Sequence, residues 1–394
     1  PLKSDLKLAR RFSHDQIDTE YPEVNFFENS RINASRDRGV KDLFTPRNLK
    51  ALSWLMERIE GIQDDSMRNT FKFCFTGAIG QASNMVFVVR KRGKHNSCKK
   101  SDRTEVGSWV IGYWQPEEYF EINAWNCFKN RYGRVLRAKK ELKKLDFELK
   151  EANNVEDLFN SRNLFLKNAP SQVALKSLPE DSVDYVITDP PHGDRIPFLE
   201  LSMLWNSWLK FDVNYDDEIV ISNSRDRNKD LEDYRELMAK VFKQVKRVLK
   251  PDHVFTLIFN SLDDETWVYL LKSLYGMGFE LKSLETMGYS ANSVVQDSRK
   301  KGLKTDFILN FVNSGENSIA FKVISVKEKR EQYVTKISRY IQAERKGKRL
   351  IHEILNFVVL DSMSKNAFPK LSSILKLLTQ EFKILRDGWV KKKG

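Results

Sequence analysis

Ser182-Val183-Asp184-Tyr185-Val186-Ile187-Thr188-Asp189-Pro190-Pro191-His192-Gly193-Asp194 is the stretch whose reading decides the fold. Its first half is a β-branched and aromatic run of strand length, introduced by a turn at Leu178-Pro179-Glu180-Asp181. Its second half stops that strand: two consecutive prolines fix φ and remove two backbone donors, so no ladder continues through them. A strand that ends in a carboxylate and turns away suits an open α/β sheet, whose ligands bind outside the carboxyl ends of the strands. Asp-Pro-Pro also occurs wherever a strand merely has to stop, so the surroundings must decide.

Working outward, Ser202 to Leu209 reads as a short aromatic helix with Leu201, Leu204, Trp205 and Trp208 on one face, which suits core packing. Asp230 to Leu249 is a long amphipathic helix that Lys250-Pro251-Asp252 breaks, and His253 to Phe259 is a buried strand. Asp263 to Tyr275 is a helix closed by Gly276 and Gly278, followed by strands at Phe279–Thr286 and Asp306–Val312. This order is the second half of a Rossmann-like sheet. Upstream, residues 1–40 read as a polar lead-in and Leu43–Ile59 as a helix capped by Thr45 with Pro46 at its first position. Met67–Met85 is helical, Val89–Glu105 a basic loop, Ser108–Trp114 a short strand and Glu118–Phe147 a long helix that becomes strongly charged. Ser325 to Gly394 holds three helices. The predicted organisation is a mostly helical region 1–150, an α/β half 151–314 and a basic helical tail 315–394.

The chain has 394 residues, 41% of them hydrophobic, and a net charge of +13. From residue 321 onward 18 Lys/Arg face 7 Asp/Glu, which places +11 in the tail. Such a field suits a polyanion, because neutralised phosphates release counterions, and it equally suits a solubilising tail. No apolar run reaches the length of a membrane span, and no basic-then-apolar leader opens the sequence, so a cytoplasmic protein is expected. Cys74, Cys98 and Cys127 form no CxxC pair, and His95 with Cys98 sits among lysines. Neither a disulfide framework nor a metal site is expected.

The run Leu178 to Leu209, through Asp189-Pro190-Pro191-His192 to Trp205-Asn206-Ser207-Trp208-Leu209, resembles the amino-methylating DNA methyltransferase family with a DPPY-type motif. It is most similar to the subgroup whose motif continues as DPPYGD with a downstream tryptophan-rich helix. Tyr234-Arg235-Glu236-Leu237-Met238 through Val248-Leu249-Lys250-Pro251 is similar to that family, as are Lys301-Gly302 and Asp306-Phe307-Ile308-Leu309. So are Asp42 to Leu49, Gln81 to Met85 and Glu121 to Trp125, which extends the resemblance over roughly residues 40 to 312. The resemblance implies a Rossmann-like methyltransferase sheet represented by its fourth to seventh strands, S-adenosylmethionine as cofactor and DNA as substrate. Asp189 and the Pro190 carbonyl would each accept one hydrogen of a base amino group and border the cofactor. Pro191 holds the turn, and His192 would stack on the flipped base. His192 stands where the family carries Tyr, Phe or Trp; imidazole offers less area and a protonation equilibrium. Adenine N6 is preferred to cytosine N4, since cytosine-directed motifs more often begin with Ser. Transfer is direct, so no cysteine is given a nucleophile's role.

Two family features are missing: a glycine-rich turn after a first strand, and an acidic residue ending a second strand. Phe75-Thr76-Gly77-Ala78-Ile79-Gly80 is the nearest match, but it sits inside a helical pattern and reads as small-residue helix packing. Glu28 and Asp37 have no strand before them. A second subunit or a missing segment is therefore expected to carry the cofactor motif, giving a heteromer. Pro1 fits a chain that begins here after loss of an initiator Met.

Candidate nucleic-acid contacts are Arg90, Lys91 and Arg92 in the basic loop, Arg195 after the motif, Arg299, Lys300 and Lys301 before the last strand, and Arg345 and Lys346 in the tail. Phosphate contacts position a protein without specifying sequence. Asn260 and Ser261, ending the fifth strand, are candidates to line the site. Restriction-modification is one role compatible with these features. Two rivals stay open: an RNA (tRNA guanine-N2) methyltransferase, which also uses a DPPYG-like motif, and a non-catalytic nucleic-acid-binding subunit.

Overall fold

The computed structural model describes residues 12–90, 104–107, 112–145, 148–193, 196–261, 263–287, 303–315, 318–385 and 387–393. The chain divides into two compact units. One comprises Pro1–Leu149, Pro197–Glu218 and Ser222–Asn228; the other comprises Lys150–Ile196, Ile219–Ile221 and Lys229–Gly394.

The first unit is built on helices α1 (Pro46–Glu60), α2 (Asp65–Ile79), α3 (Ala124–Leu142) and α4 (Phe198–Leu209). The Thr45 hydroxyl accepts the Asn48 N–H at 3.2 Å, and Pro46 occupies the first turn of α1, so the cap read from the sequence is the one formed. Leu49, Leu52, Met56 and Ile59 recur at helical spacing and are buried. Trp208 on α4 packs edge-on against Phe44 and Phe75, and the Trp205 indole donates to the Thr76 carbonyl at 3.0 Å. The tryptophans of α4 thus serve the core of this unit.

Residues 12–40 are more than the lead-in expected. Phe26, Ile32, Ala34 and Val40 are buried, and Phe26 stacks on Tyr113 at 4.0 Å. Single-turn helices at Ser30–Ile32 and Val40–Leu43 hold Ile32 and Val40, and one turn is too short to leave a periodic signal. The expected loop 89–105 also differs, because Val88–Arg90 pairs antiparallel with Thr104–Val106. Of the expected strand 108–114, residues 108–111 lie outside the described residues, and 112–114 are not strand.

Buried charge organises part of this unit. Arg227 donates to Glu200 at 3.0 Å, to Glu218 at 2.7 Å and to the Tyr215 carbonyl at 2.9 Å. Asn29 donates to Glu200 Oε2, and Ser222 to its Oε1. The side chains of Arg227 and Glu200 are each 1% exposed, a depth at which a charge must be paired.

The second unit carries strands β1 (Val183–Thr188), β2 (Leu249–Phe259), β3 (Phe279–Thr286) and β4 (Phe307–Asn313) in the order β1-β2-β4-β3. β1 and β2 are parallel, and β4 runs antiparallel to both its neighbours. α5 (Leu231–Val248) crosses from β1 to β2, and α6 (Asp264–Gly276) from β2 to β3. This is the α/β half-sheet the sequence predicted. β2 begins earlier than expected, because Lys250-Pro251-Asp252 passes through as an irregularity with Asp252 at φ +62°. A bulge can hold a proline that a regular ladder could not.

The two faces of the sheet differ. Phe255, Leu257 and Phe259 of β2 and Phe307, Leu309 and Phe311 of β4 alternate into one core. The opposite face carries a hydrogen-bonded chain from the Tyr185 hydroxyl to Thr256 (2.8 Å), from Thr256 to Asn310 (2.6 Å) and from Asn310 to Ser283 (2.8 Å). β1 ends the described sheet, with Tyr185 51% and Ile187 59% exposed.

The three helices expected in the tail are α7 (Arg330–Gln342), α8 (Ile351–Met363) and α9 (Leu371–Glu381). Ile337, Ile354, Val358, Ile374 and Leu378 join the core of the sheet, and Phe368 stacks on Trp267 at 5.5 Å. Asp264 accepts the backbone N–H groups of Leu371 and Ser372, so a residue at the start of α6 caps α9. No described helix is long and apolar enough to cross a membrane.

Candidate functional site

β1 delivers the motif to the carboxyl end of the sheet. Thr188 is the last residue in register with β2, opposite Leu257, and Asp189 follows it out of the ladder. The Asp189 side chain is 65% exposed, whereas that of His192 is only 11% exposed. His192 Nε2 lies 3.0 Å from Asp189 Oδ1 and 3.4 Å from the Ile258 carbonyl. The imidazole stands edge-on to Phe259 with ring centroids 5.1 Å apart. The ring is therefore turned in against β2, and the carboxylate faces outward.

Neighbouring elements fix the turn. The Tyr234 hydroxyl, on α5, donates to the Pro191 carbonyl at 2.7 Å. Burial pushes the Tyr234 phenol well above its ordinary value, so it stays a donor at any working pH. Gly193 has φ +70°, a left-handed conformation that glycine adopts without strain, and its carbonyl accepts the Ile221 N–H at 3.3 Å. Tyr234 was absent from the site residues read from the sequence. Its only signal there was membership of the similar segment Tyr234–Met238, since a contact across forty-three residues has no periodicity.

Asn260 and Ser261 are buried at the end of β2. Asn260 Nδ2 donates to the Thr305 carbonyl at 2.7 Å, while its Oδ1 has no partner among the described residues. Ser261 accepts the Asp263 N–H at 3.1 Å and gives its carbonyl to the Trp267 indole at 3.0 Å. Ser261 is thus engaged by the start of α6, and Asn260 keeps an open acceptor.

Gly77 and Gly80, in the segment nearest a glycine-rich turn, lie at the end of α2 and in the turn after it. A Cβ on Gly77 would stand 2.6 Å from the Arg131 Nε, which itself donates to the Gly77 carbonyl at 3.0 Å. That glycine lets α3 approach α2. Cys74 and Cys127 are buried, and that burial raises both thiols above their ordinary value.

Of the basic candidates, Arg345 and Lys346 are exposed in the turn after α7, and Gly347 there has φ +58°. Arg90 closes the strand Val88–Arg90 opposite Thr104. Lys91, Arg92, Arg195, Arg299, Lys300 and Lys301 lie outside the described residues.

Residues 183–377 match the profile of the DNA methylase family. No curated protein matches the chain. Among solved structures, the Thermus thermophilus protein TTHA0409, assigned as a DNA modification methylase, is similar at 14% identity over 51% of this chain, with a TM-score of 0.23. The same protein complexed with S-adenosyl-L-methionine is similar at 14% identity over 42% of this chain, with a TM-score of 0.21. The chain spans 65% and 57% of those two, less than two thirds of their length. The family segment opens on β1 and so includes Asp189 to His192.

Proposed function

We propose that this chain is the base-binding half of an S-adenosylmethionine-dependent DNA amino-methyltransferase, with adenine N6 as its target. One observation carries the reading: a DNA methylase segment whose first strand releases Asp189, Pro190 and Pro191 at the carboxyl end of an open sheet.

The amino nitrogen of adenine is a poor nucleophile because its lone pair is delocalised into the ring. The Asp189 carboxylate accepts one N–H and the Pro190 carbonyl the other, which draws the nitrogen towards a pyramidal geometry. As the new bond to carbon forms, the surplus proton leaves along the hydrogen bond to Asp189. The ring of His192 must swing away from Phe259 before it can stack on a flipped base. S-adenosylmethionine supplies an electrophilic methyl group. Asp189 and Pro190 fit one edge of that cofactor, and the described residues offer no glycine-rich turn for its methionine part. A second subunit or a segment outside this sequence is assigned that role. β1 ends the described sheet, which supports strands being added there, because an unpaired strand edge is a template for pairing.

The inward position of His192 favours one rival, a non-catalytic nucleic-acid-binding subunit of a methyltransferase complex. Labelled S-adenosylmethionine, offered with duplex DNA or with tRNA, to the chain alone and with the product of any adjacent gene, separates the readings. Transfer to adenine in DNA only with the second polypeptide, lost in Asp189→Ala, is expected. Transfer to tRNA alone moves the substrate to RNA, and no transfer in any combination leaves the rival. A monomer in gel filtration that binds the cofactor tightly overturns the second subunit.

A further inference from the structure

α3 carries far more charge than its packing uses. From Lys129 to Lys144 there are eight Lys/Arg and one acidic residue, Glu141. The buried residues of α3 are Ala124, Cys127 and Phe128, all in its first turns. From Leu136 to Leu145 every residue is exposed, so the last turns leave the core behind. A helix without a packed face has little holding it. This one also sets like charges at helical contact spacing: Arg134 with Arg137, Arg137 with Lys140, and Lys140 with Lys144. Cations near a helix C-terminus gain from the macrodipole, but only in the last turn.

Lys129, Gly133, Arg137 and Lys140 fall at positions i, i+4, i+8 and i+11, which is one stripe along the helix. Gly133 interrupts it without a structural reason. A Cβ there would meet nothing within 4 Å, and a mid-helix glycine weakens a helix relative to alanine. What a missing side chain does provide is room for a second surface to come close to the helix axis.

We propose that this stripe, with Lys143 and Lys144 in the turn that follows, docks α3 on the phosphate backbone of duplex DNA, with Gly133 admitting the backbone at closest approach. The choice of DNA as the polyanion rests on the reading of the chain as a DNA methyltransferase. Charge complementarity supplies the rest, since neutralising phosphates relieves the self-repulsion along the helix.

The test titrates the full chain into a labelled duplex of arbitrary sequence across a salt series. Arg137→Ala with Lys140→Ala is expected to weaken binding and to make the plot of log affinity against log salt shallower by about 2, roughly 0.9 for each lost phosphate contact. Gly133→Ala is expected to raise the melting temperature while weakening DNA binding several-fold. An unchanged salt slope in the double variant, unchanged affinity in Gly133→Ala, or displacement of DNA by polyglutamate as readily as by unlabelled duplex overturns the docking. Failure of the methyltransferase reading is separate: it shows as absent transfer with the salt slope still lost in the double variant.

Discussion

Asp189 and Glu200 stand eleven residues apart, one just before and one just after the turn that follows β1, and the protein treats them oppositely. Asp189 is mostly exposed, with a single ring nitrogen of His192 beside it. Glu200 is sealed, with both oxygens taken by Arg227, Asn29 and Ser222. A carboxylate sealed inside the protein with both oxygens engaged has nothing to offer a substrate. One with an open oxygen on the surface does. The difference separates an acid that holds the fold from one available for chemistry, and it does so by burial rather than by sequence position.

The largest expected effect tests the buried side of that contrast. Glu200→Ala removes one of the two carboxylates that pair with buried Arg227 and leaves Asn29 and Ser222 without their acceptor, which costs about 3 kcal/mol. Urea denaturation should show the loss as a lower midpoint at unchanged slope. Asp189→Ala should leave the midpoint within about 0.5 kcal/mol of the parent, as surface substitutions do, while ending methyl transfer. If Asp189→Ala unfolds the chain as readily as Glu200→Ala, the contrast fails.

Tyr234→Phe sharpens it from the other direction. The substitution leaves the Pro191 carbonyl without its donor and should cost about 1 kcal/mol, read from thermal unfolding. The motif turn would lose one of the bonds that fix it, so the rate of transfer should fall while affinity for DNA holds. A variant with unchanged stability and unchanged transfer would show that the turn is held by Gly193 and the prolines alone.

How far this contrast was legible beforehand follows from what is local. β1, the stop at Pro190 and Pro191, the cap at Thr45 and the half-sheet order all rest on neighbouring residues, and each formed where the pattern put it. The role of Glu200 was invisible, because Asn29 lies 171 residues from it and Arg227 sits in a polar run that reads as loop. The inward turn of His192 was equally hidden. It depends on Phe259, brought alongside by parallel pairing of β1 with β2, a contact with no trace in local spacing. Pairing across long separations is what periodicity cannot report, and the site is made mostly of such pairings.

A group of intermediate burial should give the smallest effect, and His352 on α8 is one. Burial, and after it the nearby cation of Lys304, hold its imidazole below the usual value of about 6.5. As pH falls the unfolded chain therefore takes up this proton first. Stability is fully present above the unfolded value and is lost as pH drops through it towards the depressed folded one. Melting temperatures of the parent and of His352→Asn, followed from pH 8 down to about pH 5, isolate this residue from the other histidines by difference. The parent should lose stability faster than the variant over the acid half of that range, by less than Tyr234→Phe costs. Parallel curves would mean that half-burial leaves this imidazole as free to titrate as a surface group, and the rule drawn from Asp189 and Glu200 would then hold only at its two extremes.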